Sequence, residues 1–175
     1  MRHNIFNKLH WQLKVSLLNT CVSLSDAVAF DTTTAQVAIK KIEGVLKIFK
    51  EQLKYESASL LPLVFEYEPS IWDLYTKGHQ KAANLGYGIE ILLQHYNKLH
   101  TTQDKQEVMD LVKIAYQEFM QFNFNHMDDE EEVLNEILWR YYSDDVIKQV
   151  EEQLHVKAAL IKHGDVGRYQ AATAA

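Results

Sequence analysis

Proline and glycine, the residues that interrupt helices most strongly, are scarce in this chain. Its 175 residues include only two prolines, Pro62 and Pro69, and six glycines. Because proline removes a backbone donor and clashes with the preceding turn of a helix, long stretches without it favour long helices. Apolar residues recur three and four positions apart, whereas the apolar–polar alternation typical of β-strands never holds for long. We therefore predict an all-α protein.

Turn-forming segments divide the chain into five predicted helices. These segments read SLSDAVAFDTTT, EYEPS, LHTTQD and YYSDD, and candidate helix caps within them are Thr33, Thr34 and Ser70. The predicted helices cover about residues 2–23, 35–67, 71–99, 103–141 and 144–163. Because short turns make consecutive helices antiparallel neighbours, we predict an up-down-up-down four-helix bundle with a short fifth helix. Residues 1–163 form this predicted domain, and residues 164–175 are expected to be a frayed or disordered tail.

Composition and charge argue against several classes of protein. Hydrophobic residues make up 47% of the chain, which is typical of a globular domain. The net charge is −6 and no basic patch stands out, which argues against a nucleic-acid partner. No apolar run approaches the roughly 20 residues that a membrane span needs. Cys21 is the only cysteine and the N-terminal segment lacks a signal-peptide pattern, so we expect a cytoplasmic protein; the oligomeric state stays open.

Polar residues interrupt the apolar stripe of each long predicted helix. They are His3 and His10 in the first helix, Gln52 and Glu56 in the second, His79 in the third, and His126 and Glu130 in the fourth. In an antiparallel pair, residues at equal depth lie equally far from the connecting turn. The midpoints of Glu56 with His79 and of His79 with His126 both fall in such turns. The first loop is long, so the same test favours His3 over its rival His10 only mildly.

Carboxylates and imidazoles that meet inside a helical protein point to a metal. Burying an ionised carboxylate costs several kcal/mol, and a cation bound by imidazole and carboxylate ligands offsets that cost. His126 and Glu130 are four residues apart, so both point to one face of their helix. Two carboxylates with several histidines suit a pair of irons, although zinc, or a plain His–Glu hydrogen bond without metal, are alternatives. We expect Asp129, Glu131 and Glu132 to face solvent or the fifth helix.

Four segments of the sequence resemble the hemerythrin-like family, whose members are also described as HHE cation-binding domains. The most specific segment is FNFNHMDDEEEVLNEILWRYYSDD, which resembles the last metal-binding helix of that family and the acidic turn after it. RHNIFNKL, FKEQLKYESASLLPLV and YTKGHQKAANL resemble its first, second and third helices. The resemblance spans about residues 2–145, nearly all of the predicted domain.

The resemblance implies a particular set of metal ligands. The implied ligands are His3, Glu56, His79, His126 and Glu130, with the two glutamates bridging two non-heme irons. The family usually repeats the H-x-x-x-E pattern in its second helix, where this sequence has Gln52 in place of the histidine. Because a glutamine amide is a weak, neutral ligand, one iron site is expected to be weak, open or empty. The alternative is that Gln52 is a hydrogen-bonding neighbour of the ligands.

The functions of the family suggest three hypotheses for this chain. In the first, the metal centre binds or senses a small molecule, which is oxygen, nitric oxide, peroxide or iron itself. In the second, it is an iron-dependent oxidase or peroxide-reducing enzyme that reacts at an open position. In the third, it is a metal-free interaction module whose site has decayed. The sequence favours the first hypothesis.

Overall fold

The computed structural model of the protein describes residues 2–28 and 31–152. These residues are almost entirely helical, and none of them forms a β-strand, which confirms the all-α prediction. The helices are α1 (Phe6–Asp26), α2 (Thr32–Tyr55, Glu56–Leu60 and Leu61–Phe65), α3 (Trp72–Lys98), α4 (Thr102–Asp129, Glu130–Leu134 and Asn135–Tyr141) and α5, which begins at residue 144 and is helical through residue 152. The remainder of the predicted fifth helix and the predicted tail lie outside the described residues.

Side chains at the helix starts explain where two of these helices begin. Asp31 caps α2 by accepting hydrogen bonds from the backbone N–H groups of Thr33 and Thr34. The predicted caps Thr33 and Thr34 were therefore wrong, because Asp31 already satisfies the free donors of the first turn. Thr101 caps α4 through its hydroxyl. A 3₁₀ turn, Pro69–Ile71, precedes α3, so Ser70 lies within that turn and caps nothing.

Both α2 and α4 widen into one π-helical turn, Glu56–Leu60 and Glu130–Leu134. In the first turn the Leu61 N–H donates to the Glu56 carbonyl five residues back. Pro62 follows directly, and its ring cannot pack against the carbonyl of the residue four positions earlier in a regular helix, which favours a wider turn. Each π turn begins at a buried glutamate. The sequence analysis predicted uninterrupted helices here and missed both turns.

The long helices bury their apolar faces against one another. Helix α1 packs against α2 and α4, while α3 packs against α2 and α4. The apolar residues form a larger and a smaller cluster, and each of the four long helices contributes to both. On α1, Phe6 belongs to the smaller cluster and Leu13 to the larger one. On α3, Tyr75 belongs to the smaller cluster and Ala82 to the larger one. The polar residues of the stripes, apart from His3, lie at the level between the two clusters.

No helix within the described ranges is both long enough and apolar enough to span a membrane.

Candidate metal centre

Five polar side chains from the four long helices meet between the two apolar clusters. They are His10 of α1, Glu56 of α2, His79 of α3, and His126 and Glu130 of α4. One donor atom from each of His79, His126 and Glu130 lies within 4.8 Å of the others, and the same is true of His10, Glu56 and Glu130. Four of the five are buried, and His126 exposes 12% of its side chain. The shared depth predicted from the turns is confirmed for Glu56, His79, His126 and Glu130.

The carboxylate of Glu130 faces both groups of histidines. Its Oε1 lies 2.9 Å from His79 Nε2 and 3.4 Å from His126 Nε2. Its Oε2 lies 3.6 Å from His10 Nε2. A carboxylate whose two oxygens face different imidazole groups has the arrangement that a bridging ligand needs.

Glu56 faces the same two groups from the opposite helix. Its Oε2 lies 3.5 Å from His79 Nε2, and its Oε1 lies 3.2 Å from His10 Nε2. The cluster therefore consists of two halves that share both glutamates. We call His79 with His126 the two-histidine half, and His10 with Gln52 the one-histidine half.

Gln52 completes the one-histidine half. It lies one turn before Glu56 on α2 and exposes only 5% of its surface. Its Nε2 donates to Glu56 Oε1 over 2.8 Å, while its Oε1 is buried without a hydrogen-bond partner in the described part of the chain. The position that the resemblance assigned to a histidine is therefore beside Glu56, and the amide nitrogen of Gln52 is the atom that contacts this carboxylate.

His3, the residue favoured on the first helix, lies elsewhere. Its Nε2 contacts Glu151 Oε2 at 2.8 Å, and its backbone carbonyl accepts a hydrogen bond from the indole of Trp139. Helix α1 begins only at Phe6, so His3 precedes the helix and is held against α4 and α5. The structure brings His10, the rival, to the cluster instead.

The turn-midpoint test mildly favoured His3 because it counts every residue of the long first loop as an equal step in depth. Ala27, directly after α1, has an extended backbone and is fully buried. An extended residue advances about 3.3 Å, whereas a helical residue advances about 1.5 Å, so counting residues through such a connection misjudges depth.

A second layer of polar groups supports two of the imidazoles. Glu131 Oε1 lies 2.9 Å from His10 Nδ1, and Lys14 Nζ donates to the same oxygen over 2.9 Å. Ser57 Oγ lies 3.1 Å from His79 Nδ1. In both rings Nε2 is left facing the glutamates. The expectation that Glu131 faces solvent or the fifth helix was wrong, since it contacts α1.

His126 is supported by the shape of α3. Gly78 lies beside its ring, and a Cβ added to Gly78 would stand 2.6 Å from His126 Cε1. No larger residue fits there without moving the imidazole. Sequence reasoning missed this role, although a glycine directly before His79 inside a long helix is the signal that would have suggested it.

The pKa values of the histidines differ between the two halves. Burial lowers the pKa of His126 to about 4, with a further contribution from His79, and burial also lowers the pKa of His79. Both rings are thus neutral at pH 7, so each has one nitrogen lone pair that can bind a metal. Burial also opposes charge on His10, but hydrogen bonds to Glu131 and Glu56 outweigh it and raise the pKa of His10 to about 9. Burial, then repulsion by Glu56, raises the pKa of Glu130 well above its usual value.

The donor set fits bound cations better than a purely protein network. His126 Nε2 and Glu130 Oε2, like Gln52 Oε1, are buried without a hydrogen-bond partner among the described residues. Unpaired buried polar atoms cost about 1–3 kcal/mol each. Neutral imidazole nitrogen and carboxylate oxygen are also the donors that divalent transition metals take. The residues present therefore could hold metal in two groups, one of His79, His126 and Glu130 and one of His10, Glu56 and Glu130.

No protein-family model matches the chain, and no curated protein matches it.

Proposed function

We propose that this protein is a metal-binding, hemerythrin-like protein that holds a non-heme di-iron centre and binds or senses oxygen, nitric oxide or iron. Its helices form, in this proposal, an antiparallel up-down-up-down four-helix bundle. The single observation that supports the proposal most is that Glu56 and Glu130 each face both histidine groups. The small-molecule partner and the cytoplasmic location remain predictions from the sequence.

The residues have separate roles in this proposal. His79 and His126 would hold one ion, His10 with Gln52 the other, and Glu56 and Glu130 would bridge them. Bound iron supplies an electron-rich centre that takes diatomic ligands and changes oxidation state. The protein supplies the ligand cage, the orientation of its rings and exclusion of water.

Aromatic rings keep the cluster dry. Phe6 packs against His10 with ring centroids 5.0 Å apart, and Phe122 stacks on His126 at 5.8 Å. With the leucines and aromatics of the two apolar clusters, they lower the local dielectric and control which molecules reach the cluster. Access restricted in this way favours a small, neutral ligand over a polar organic substrate.

One observation favours an enzyme as the second candidate. Gln52, which hydrogen-bonds Glu56, stands where an imidazole would be the stronger ligand, so an ion in the one-histidine half would be held weakly and would exchange ligands readily. An oxidase or a peroxide-reducing enzyme would use such a position. Reduced, iron-loaded protein mixed with oxygen distinguishes the two functions: a stable, reversible adduct supports binding, whereas many turnovers per chain support an enzyme. The third hypothesis, a metal-free module, leaves the unpaired buried atoms of the cluster unexplained.

Elemental analysis of protein purified without oxygen from iron-replete cells tests the proposal. We expect between about one and about two irons per chain, since the Gln52 half binds more weakly. His126→Ala should weaken iron binding at least about tenfold. Loss of a residue that only supports a metal ligand already costs about tenfold, and this substitution removes a ligand itself. His95→Ala, which changes an exposed histidine of α3, is the matched control and should bind iron normally. A ratio near zero in the unmodified protein would contradict the proposal.

A further inference from the structure

A row of charged side chains leads from the surface of the protein to His10. Lys14, four residues after His10 on α1, extends to α4, where its Nζ lies 2.7 Å from Asp128 Oδ1 and 2.9 Å from Glu131 Oε1. The same oxygen of Glu131 lies 2.9 Å from His10 Nδ1. The exposed fraction of the two carboxylate side chains falls from 66% at Asp128 to 27% at Glu131, and His10 is fully buried. The row therefore connects solvent with the one-histidine half of the cluster.

The edge of the two-histidine half has the opposite chemistry. His126 is the most exposed of the five candidate ligands, at 12% of its side chain. The ring of Phe122 stacks on it, and Lys81 Nζ lies 4.8 Å from the centre of the Phe122 ring. A phenyl ring offers no oxygen ligand to an incoming metal ion, and an ammonium repels it. Carboxylates thus lie at one side of the cluster, while a ring and a lysine lie at the other.

Lys14 occupies the place that an incoming cation would take. Two carboxylates of α4 hold its ammonium, and carboxylate oxygens are also ligands of divalent metal ions. Beyond the His10 ring, Glu130 Oε2 lies 3.6 Å from His10 Nε2 and is buried without a hydrogen-bond partner among the described residues. Glu131 holds this ring from its Nδ1 side. An ion that moves inward along the row must therefore displace first the ammonium and then the ring.

We propose, resting on the proposed metal-binding function, that divalent metal ions enter the cluster between α1 and α4 past Asp128 and Glu131, and that Lys14 is the gate of this route. The bound ammonium neutralises the two carboxylates and keeps Glu131 against His10. An ion that displaces the ammonium draws Glu131 towards itself, which releases the ring of His10. Because Lys14 contacts these two carboxylates and not the glutamates of the cluster, it sets the rates at which ions enter and leave, while their affinity stays nearly the same.

The kinetics of metal uptake test this inference on the full chain. Co²⁺ is the probe, because it binds the same donors as Fe²⁺ and its absorption changes when it does so. Stopped-flow mixing with metal-free protein gives the association rate, and an excess of chelator gives the dissociation rate. Lys14→Met removes the charge and keeps an unbranched side chain. It should raise both rates about tenfold and change the equilibrium affinity by less than about threefold.

Three further variants locate the effect. Lys81→Met removes the same charge beside the two-histidine half, and Lys50→Met removes a lysine that is paired with Glu90 on α3. Both change the net charge as Lys14→Met does, and both should leave the association rate unchanged within about twofold. Asp128→Asn added to Lys14→Met should return part of the gain in association rate, because it removes the outermost carboxylate of the row.

The outcomes separate this inference from the proposed function. An unchanged association rate in Lys14→Met, or an equal acceleration in Lys81→Met, overturns the gate and leaves the proposed metal centre standing. A rise in the dissociation rate alone, with loss of affinity, also overturns it, because Lys14 would then only support His10 through Glu131. Failure of the unmodified protein to bind metal overturns the proposed function and the gate together. If Lys14→Met does not fold, Lys14→Gln is measured under the same criteria.

Discussion

A single glycine sets the position of one candidate ligand. Gly78 and Gly88 lie on the same helix, yet a Cβ at Gly78 would stand 2.6 Å from the His126 ring, whereas a Cβ at Gly88 would have no neighbour within 4 Å. A glycine is therefore needed at position 78 because the imidazole of His126, on another helix, leaves no room for a larger side chain.

The substitution Gly78→Ala should displace His126. We expect metal affinity to fall about tenfold or more, and the gain in helix propensity of about 1 kcal/mol to be offset by crowding of about 1–3 kcal/mol. Gly88→Ala is the matched control and should stabilise the protein by about 1 kcal/mol without changing metal binding. Urea denaturation and metal titration measure both quantities. If both variants gain stability and bind metal alike, Gly78 does not position His126.

Glu131 acts on the cluster through His10. It contacts Nδ1 and leaves Nε2 facing the glutamates. Carboxylates placed in this way behind a metal-binding histidine raise its basicity and fix its tautomer. Glu131→Leu should therefore lower metal affinity about 10- to 100-fold, measured by competition with a chelator. Glu131→Gln keeps an acceptor and should lose less, and Glu132→Leu, at an exposed position, should lose nothing. Equal losses for Glu131→Leu and Glu132→Leu would contradict this role.

At the scale of helices, the two π turns are stabilised by different means. Proline follows the first turn, but no proline lies near the second. There the side chain of Asn135 donates to the Glu131 carbonyl over 2.8 Å and to Asn4 Oδ1 over 2.9 Å. Asn4 in turn accepts from the Phe6 N–H at the start of α1. The amide of Asn135 thus donates to a carbonyl of the π turn and also links α4, through Asn4, to the start of α1, the helix that carries His10.

Replacing that amide should destabilise the protein. Asn135→Leu removes both hydrogen bonds of the buried amide nitrogen, so we expect the free energy of unfolding to fall by about 1–3 kcal/mol, measured in urea. Asn97→Leu, which changes an exposed asparagine of α3, is the control and should change it by less than about 0.5 kcal/mol. Equal effects of the two substitutions would show that the Asn135 hydrogen bonds contribute nothing.

π turns occur often at functional sites because the extra residue redirects the side chains that follow. Here both turns begin at the glutamates that face the two halves of the cluster. The glutamates therefore mark the points at which α2 and α4 depart from regular periodicity, and the apolar stripe resumes at Leu60 and Leu134, which are fully buried.

For the whole molecule, the metal-free cluster makes stability depend on pH. The folded protein binds a proton on His10 with a pKa of about 9, against 6.5 in the unfolded chain. This contribution is fully present below about pH 6.5 and is lost as pH rises through about 9. Burial raises the pKa of Glu130, so its contribution to stability is also lost as pH rises.

Chelator-treated protein should therefore lose up to about 3 kcal/mol of unfolding free energy between pH 6.5 and pH 9.5, measured in urea. Metal-loaded protein should lose much less, because a bound cation replaces the proton. His95→Gln, at an exposed histidine, should follow the unmodified protein. A flat profile for the metal-free protein across this range would contradict the charged state assigned to His10.

The amino-acid sequence by itself determined the helical class, the positions of most turns and four of the five clustered residues. Helical periodicity is local, so it fixes which side chains share a face, and short turns fix the relative depth of residues on neighbouring helices. Glu56, His79, His126 and Glu130 followed from these two rules. Gln52 followed from its position one turn before Glu56.

Only the tertiary structure decided the rest. The choice of His10 over His3 depends on contacts of the N-terminal segment with α4 and α5, which counting residues through the first loop does not reveal. The roles of Gly78 and Glu131 depend on which side chain of another helix lies opposite. Such contacts join residues about 50 and 120 positions apart. A local pattern such as a glycine inside a long helix can mark one partner, but it does not say which side chain lies opposite.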